Sequence, residues 1–246
     1  MASTTARCPS AWCANTLILM PAYQAADTLA DTLRAIPEGW NRQVLCDDAS
    51  TDGTAERAEQ LGVPYVLRHP KNRGYGANQK TLYDFALRQE GAEYFILLHP
   101  DFQYDPQKIP EFVRALQRYD VVLGSRIRSA RSGGMPRYKY WANRGLTRLQ
   151  NQAFGLSLSE YHTGYRGFRR EVLETVAYHE NRDDFIFDNQ LLAQVIRAGF
   201  RIGEVPCAAR YFPEASSLGF WGSCRYGLGV LGVTWQYWRV LRLKEA

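Results

Sequence analysis

Four consecutive apolar residues, Phe95-Ile-Leu-Leu98, end abruptly in His99-Pro-Asp-Phe-Gln-Tyr-Asp-Pro106. A run so short and so uniformly apolar reads as a strand buried on both faces, the condition of strands in a parallel sheet covered by helices. Two more runs behave alike. Thr16–Met20 gives way to Pro21, Ala22 and Tyr23, and Val44-Leu45-Cys46 to Asp47-Asp48-Ala-Ser-Thr-Asp-Gly-Thr54. The pattern predicts strands at about 16–20, 43–47, 64–67, 94–98 and 120–123, with helices at about 25–36, 53–61, 76–89 and 107–118. Such alternation makes an α/β fold: one Rossmann-like, mostly parallel sheet with right-handed crossovers and helices on both faces. No Gly-x-Gly-x-x-Gly opens the first crossover, which argues against a dinucleotide-binding domain.

In an open α/β sheet, ligands bind beyond the carboxyl ends of the strands. His99, Asp101, Gln103 and Asp105 fall there at alternate positions. Oxygen donors so placed suit Mg²⁺ or Mn²⁺ holding phosphates, although a polar Asp-Pro turn has the same composition. Asp47 and Asp48 repel each other, so one should meet a donor such as a base N–H or ribose hydroxyls. Capping accounts for Asp52 but not for that pair. Ser50 or Thr51 suits the N-cap of a helix near Thr54, and Gly53 a tight turn. Tyr23 adds an aromatic face, and the three exits together fit a nucleotide. Lys71, Asn72 and Arg73, followed by Gly74 and Gly76, either present cations and backbone N–H groups to an anion or simply turn into a helix.

At 246 residues and 46% hydrophobic, the chain has the material for one globular domain. Residues 1–13 lack the continuous apolar stretch of a secretion signal. Cysteines 8, 13, 46, 207 and 224 form no CxxC pair, and Cys46 and Cys207 read as buried thiols of a reducing, cytoplasmic compartment. The net charge of +5 rests on 25 Arg and only 5 Lys, and Arg suits bidentate capture of phosphate. Nucleic acid is set aside as a partner: the arginines are scattered, with no helix-turn-helix, RNP or zinc pattern.

Beyond Gly124 the character changes. Arg126, Arg128 and Arg131 precede Ser132-Gly-Gly-Met-Pro136, so residues 126–138 are expected to form a lid, a solvated loop being the alternative. Tyr138–Phe154 reads as an amphipathic helix with Trp141, Leu146, Leu149 and Phe154 facing one way, and Lys139 and Asn143 sharing a face at i, i+4. Arg166 either reaches a phosphate or pairs with an acidic neighbour. Asp183–Gln190 begins a helix, with carboxylates at its positive end. The last thirty residues carry no charge between Arg225 and Arg239, too short a stretch for the roughly 20 residues that span a bilayer. Aromatics flanked by Arg239, Arg242 and Lys244 suit a helix lying in a membrane interface; a core or homodimer helix is the alternative.

MPAYQAADTL, LCDDASTDGT, NRGYGANQK, LLHPDFQYDP, VVLGSR, HTGYRGFRREVL and RYFPEASS stand in the order seen in family 2 glycosyltransferases. Over residues 15 to 217 the chain most resembles the dolichol- and polyprenyl-phosphate sugar transferases. The resemblance implies a GT-A fold and metal-dependent, inverting transfer of a hexose from a nucleoside-diphosphate sugar to a polyprenyl phosphate. It divides the chain into a flexible tail (1–14), a nucleotide-sugar half (15–125), an acceptor half (126–217) and a C-terminal segment (218–246) set on the inner membrane face. Pro21, Ala22, Tyr23, Asp47, Asp48, Asn72 and Gly74 fall at the nucleotide, and Asp101, His99 and Gln103 at Mg²⁺ or Mn²⁺. Arg126 of the GSR motif, Lys139, Asn143, Arg166, Arg210 and Ser216 fall at the acceptor phosphate. Asp101, Arg126 and Asp188 carry the chemistry, Asp188 as base where the acceptor is a hydroxyl. His99-Pro-Asp101 replaces the family's D-x-D; the neutral His favours Mn²⁺ or marks a silent sugar-nucleotide-binding protein. Glu214-Ala-Ser-Ser217 lacks the lysine of the subgroup's closing loop. A nucleotidyltransferase is the remaining alternative, opposed by the missing G-x-G-T-R-like loop.

Overall fold

The computed structural model describes residues 10–127, 137–210 and 220–244. Seven strands form one sheet in the order β3-β2-β1-β4-β6-β5-β7. They are β1 (Thr16–Ala22), β2 (Gln43–Asp47), β3 (Tyr65–Arg68), β4 (Tyr94–Leu97), β5 (Val121–Ser125), β6 (Arg166–Arg169) and β7 (Ile202–Pro206). All pairings are parallel except those of β6, which runs antiparallel to both β4 and β5. The α/β architecture and the first five strands agree with the apolar runs of the sequence. β6 carries no such run: Arg-Gly-Phe-Arg offers one apolar side chain, and Gly167 is needed because a Cβ there would meet Ile96 and Leu116 at 3.2 Å.

The nine helices among the described residues are α1 (Ser10–Ala14), α2 (Ala26–Ala35), α3 (Thr54–Gln60), α4 (Tyr75–Leu87), α5 (Ile109–Leu116), α6 (Arg137–Phe154), α7 (Arg170–Thr175), α8 (Phe187–Arg197) and α9 (Phe220–Lys244). Alternate strand residues divide between two cores. Leu17, Leu19, Phe95 and Leu97 pack against α4, α7 and α8, while Ile18, Met20, Ile96 and Leu98 pack against α2, α3 and α5. Strands buried on both faces therefore need the uniformly apolar runs seen in β1 and β4. Residues 10–14, expected within a loose tail, instead form a helix whose Trp12 and Cys13 pack on the second core. Cys46 and Cys207 are buried free thiols.

A third layer departs from expectation. α6 and α9 lie over α8, with Leu146, Phe154, Tyr226, Val230 and Val233 packed on Ile186 and Ala193. The buried residues of α6 are Asn143, Thr147 and Gln150, whereas Trp141 is 66% and Leu149 43% exposed. The apolar residues of this helix thus do not share a face. At about 100° per residue the four spread over roughly 220°, with Trp141 about 140° from both Leu146 and Phe154 and Leu149 in between. Ser216 and most of the expected 126–138 lid lie outside the described residues.

Candidate active site

The strand order reverses between β1 and β4, and a crevice opens there at the carboxyl ends of the strands. Each loop leaving β1, β2 and β4 contains one non-glycine residue at positive φ: Gln24 (52°), Ala49 (60°) and Phe102 (54°). Such conformations persist where surrounding contacts over-determine them, and they cluster at ligand sites. The cavity they border measures ≈ 1130 Å³ and is lined by Pro21, Ala22, Tyr23, Asp48, Asn72, Gly74, His99, Asp101, Gln103, Arg126, Lys139, Asn143 and Asp188, among others. Thirteen residues singled out in the sequence thus converge on one space.

Other expected contacts do not form. Asp47 lies off the cavity, and both its oxygens accept from the Ser50 N–H, with the Ser50 hydroxyl adding a further bond. Its partner Asp48 accepts from the N–H groups of Arg73 (2.9 Å) and Gly74 (2.9 Å) and from His69 Nδ1 (2.6 Å). The carboxylate pair therefore separates its charges onto the backbone of its own loops. The loop at 71–76 is correspondingly not an open anion nest, because the Gly76 N–H also bonds internally, to the Asp183 carbonyl at 2.7 Å. Glycine is required at 74 and 76 for that crossing: a Cβ would approach the carbonyl oxygens of Asp183 and Arg182 to 2.6 and 2.4 Å.

The loop after β4 is held from three sides. The Thr28 hydroxyl donates to the Pro100 carbonyl (2.7 Å), the Arg210 N–H to the Gln103 carbonyl (2.8 Å), and the Gln103 N–H to Asp101 Oδ1 (3.1 Å). Burial pushes the Asp101 carboxyl above its usual range, while His99 and the Gln103 N–H pull it back. Among the described residues no three His, Cys, Asp or Glu side chains converge as a metal cage. Asp101, His99 and the Gln103 carboxamide form a partial, mostly oxygen donor set. That fits a hard cation whose other positions come from phosphates and water. Arg210 does not line the cavity; its guanidinium stands 4.7 Å from the Phe102 ring centroid.

Asp188, in the first turn of α8, faces the cavity with both oxygens engaged. Tyr75 Oη donates to Oδ2 (2.9 Å) and Gln79 Nε2 to Oδ1 (3.1 Å), with the Arg166 guanidinium 3.7 Å away. Arg166 is itself fully buried and spends its donors on the carbonyls of Thr163, Asp188 and Tyr161. It does not reach the cavity; the structural pairing with an acidic neighbour is the one that forms.

On the opposite wall, Arg126 is anchored by Glu160, whose side chain is fully buried. Burial alone would raise the Glu160 carboxyl, but the Arg126 charge and hydrogen bonds from Arg126 and Asn143 hold it below its usual range. Asn143 lines the cavity and donates to Glu160 (2.8 Å). Lys139 faces the cavity, its ammonium pulled below the usual lysine range by burial and by the neighbouring Arg126 charge. His162 bonds Tyr226 of α9 through Nδ1 (3.1 Å), and burial drives its imidazole down to about 4.

A model of glycosyl transferase family 2 matches residues 17–177. The chain belongs to that family. Among curated relatives it is 28% identical over 199 residues to glycosyltransferase AglJ of Haloferax volcanii, covering 80% of this chain and 63% of that one. It is 28% identical to a dolichyl-phosphate hexose transferase of the same organism (76% of this chain, 78% of that protein). It is 26% identical to the polyprenol monophosphomannose synthase of Mycolicibacterium smegmatis (78% and 76%). In fold it is similar to glucosyl-3-phosphoglycerate synthase from Mycobacterium tuberculosis, with a TM-score of 0.70 at 18% identity, covering 91% of this chain and 79% of that one. The same neighbour has been crystallised with Mn²⁺ and UDP, and with Mg²⁺ and UDP. The GT-A α/β fold and the glycosyltransferase reading of the sequence therefore stand.

Several residues of this glycosyltransferase site escaped the sequence. Tyr75 and Gln79 occur inside the NRGYGANQK motif, where the glycines and cations drew attention instead. Glu160 and Tyr226 carry no local signal, since each acts only through a partner distant in the chain.

Proposed function

We propose that this glycosyltransferase moves a hexose from a nucleoside-diphosphate sugar to a polyprenyl phosphate, with Mn²⁺ or Mg²⁺ at Asp101. The observation that carries the reading is Lys139: a cavity-facing ammonium, depressed by burial and by a second cation beside it, Arg126. Two like charges held at one wall favour an anion between them. A monophosphate oxygen is already a nucleophile at neutral pH. It attacks the sugar C1 as the C1–O bond to the diphosphate breaks, and the bonding pair leaves with the nucleotide. No general base is consumed, in keeping with an Asp188 whose oxygens both accept hydrogen bonds. Asp101, His99 and Gln103 would hold a divalent ion, which would supply electrostatic stabilisation of the departing diphosphate charge. Pro21, Ala22, Tyr23, Asn72 and Asp48 would border the nucleotide.

A membrane-borne acceptor also accounts for α6 and α9. Together these helices hold Arg137, Lys139, Arg144, Arg148, Arg225, Arg239, Arg242 and Lys244 and no acidic residue. Without them the formal charge of the chain would be negative. Outward from the core they present Trp141, Leu149, Leu228 (71% exposed), Leu231 and Trp235 (60% exposed). No helix among the described residues is long and apolar enough to cross a membrane. Cations interleaved with outward tryptophan and leucine suit an interfacial seat on anionic lipid. The test is a panel of nucleotide sugars with Mn²⁺ or Mg²⁺, offered a polyprenyl phosphate, the matching alcohol and saccharides. Transfer to the phosphate alone is expected; transfer to the hydroxyl acceptors and none to the phosphate would overturn the reading.

A further inference from the structure

Tyr75, at the first position of α4, joins two residues from distant parts of the chain. Its hydroxyl lies 2.9 Å from Asp188 Oδ2 and 3.1 Å from His99 Nε2. Proton bookkeeping fixes the direction of both bonds. A carboxylate oxygen accepts, and the other groups facing Asp188 are donors: Gln79 Nε2 at 3.1 Å and the Arg166 guanidinium at 3.7 Å. The orientation of the Gln79 amide is set in turn, because its oxygen accepts from the Tyr83 hydroxyl at 2.6 Å. Tyr75 must therefore give its one proton to Asp188, so in the second bond its oxygen accepts. The donor there is His99 Nε2–H. In a neutral imidazole the other nitrogen, Nδ1, is then the one with a lone pair.

We propose that Tyr75 is a positioning residue for the metal site: by relaying the charge of Asp188 to His99 it locks the imidazole as the Nε2–H tautomer and leaves Nδ1 to ligate the cation beside Asp101. The proposal rests on the metal reading above and assigns Asp188 a part that does not require it to take a proton. Metal-bound histidines commonly hand their second N–H to a carboxylate or carbonyl, and loss of that partner costs about 10–100-fold in metal affinity. Here one phenol is interposed. Glycine at 164 is what admits the ring, since a Cβ there would stand 2.9 Å from His99 Nε2, and Phe185 stacks on Tyr75 at 4.8 Å between centroids. An imidazole nitrogen in place of a carboxylate also favours Mn²⁺ over Mg²⁺.

The decisive experiment titrates Mn²⁺ and, separately, Mg²⁺ into the full chain with UDP or GDP present, following Mn²⁺ by paramagnetic resonance and the imidazoles by ¹⁵N NMR. Four histidines give four resolvable pairs of ring signals, and His99→Gln identifies the pair of interest. Wild-type protein without metal should show His99 protonated on Nε2. Tyr75→Phe keeps the stacking on Phe185, and it should mix the tautomers, weaken Mn²⁺ about tenfold or more, and weaken Mg²⁺ less. Asp188→Asn should mix the tautomers as well, because an amide can donate to Tyr75. Equal Mn²⁺ affinity in wild type and Tyr75→Phe, or a His99 protonated on Nδ1 in the wild type, overturns the proposal alone. A wild type that takes up neither ion with either nucleotide overturns the metal reading and the proposal with it.

Discussion

On the wall proposed for the donor the chain turns its loop carboxylates onto its own backbone, whereas on the wall proposed for the acceptor it buries amides and a glutamate and turns tryptophans outward. Asp48 is shared among two N–H groups and His69, and Asp47 is satisfied by Ser50. Arg126, by contrast, is tied to the buried side chain of Glu160, which Asn143 supports, and to the His162 carbonyl. The difference teaches where each wall is fragile. Many weak backbone bonds hold the wall proposed for the nucleotide, and a buried ion pair holds the wall proposed for the acceptor.

The largest effect should come from breaking that charge. Glu160→Gln removes the buried carboxylate that pairs with Arg126, a change that costs roughly 3–5 kcal/mol when a buried pair loses one partner. Urea unfolding should register it. The pH dependence sharpens the test. The folded Glu160 carboxyl lies below its ordinary value of 4.5, so its contribution is complete above that pH and is lost as pH falls through the lower folded value. The wild-type midpoint should accordingly fall on acidification below about 4.5, with a shallower fall in the Gln variant. An Asp47→Asn change, on the other wall, should cost no more than about 1 kcal/mol.

Next in size is Asp101→Asn. Removing the anionic donor at a site of developing charge should lower kcat/KM by about 100- to 1000-fold, roughly 3–4 kcal/mol. Stability should hardly move, since burial already disfavours the charged form of Asp101. A variant that keeps more than a third of wild-type activity would show that this carboxylate does not hold the cation.

A smaller effect is expected on the outer face of the acceptor side. Trp141→Ser combined with Trp235→Ser removes two exposed indoles that touch no part of the cavity. At about 1 kcal/mol for each partly inserted ring, partitioning onto anionic vesicles should fall roughly 10- to 30-fold. Activity towards a short-chain, water-soluble acceptor phosphate should persist. Unchanged partitioning in a vesicle sedimentation assay would dissociate α6 and α9 from the membrane.

The two walls also differ in how far the sequence discloses them. Strands such as Thr16–Ala22 announce themselves because burial on both faces demands an unbroken apolar run, and their polar exits mark the crevice directly. β6 was illegible for the opposite reason: a central strand built from Arg166, Gly167 and Arg169 has its environment set by Ile96, Phe112 and the carbonyls around Arg166. The same applies to α6. Its apolar residues suggested a core-facing stripe, yet Asn143, Thr147 and Gln150 go inward because Glu160 and Asn189 wait there with hydrogen-bonding groups. Polar burial is dictated by partners far along the chain, and no local period records them.

A modest effect tests the wall proposed for the acceptor most directly. Lys139→Ala removes one of two adjacent cations without touching Glu160, so the fold and the nucleotide side should be unaffected. About tenfold in KM for the acceptor phosphate is expected, near 1.4 kcal/mol, with little change in KM for the donor. Lys139→Arg retains the charge and should restore most of that loss. Alkaline titration gives an independent sign. The folded ammonium sits below 10.5, so its attraction for a phosphate disappears at lower pH than an ordinary lysine would allow. In the Arg variant that alkaline limb should move upward, because a guanidinium does not titrate there. If the Ala variant raised KM for the nucleotide sugar and left the acceptor untouched, the two walls would have to be exchanged.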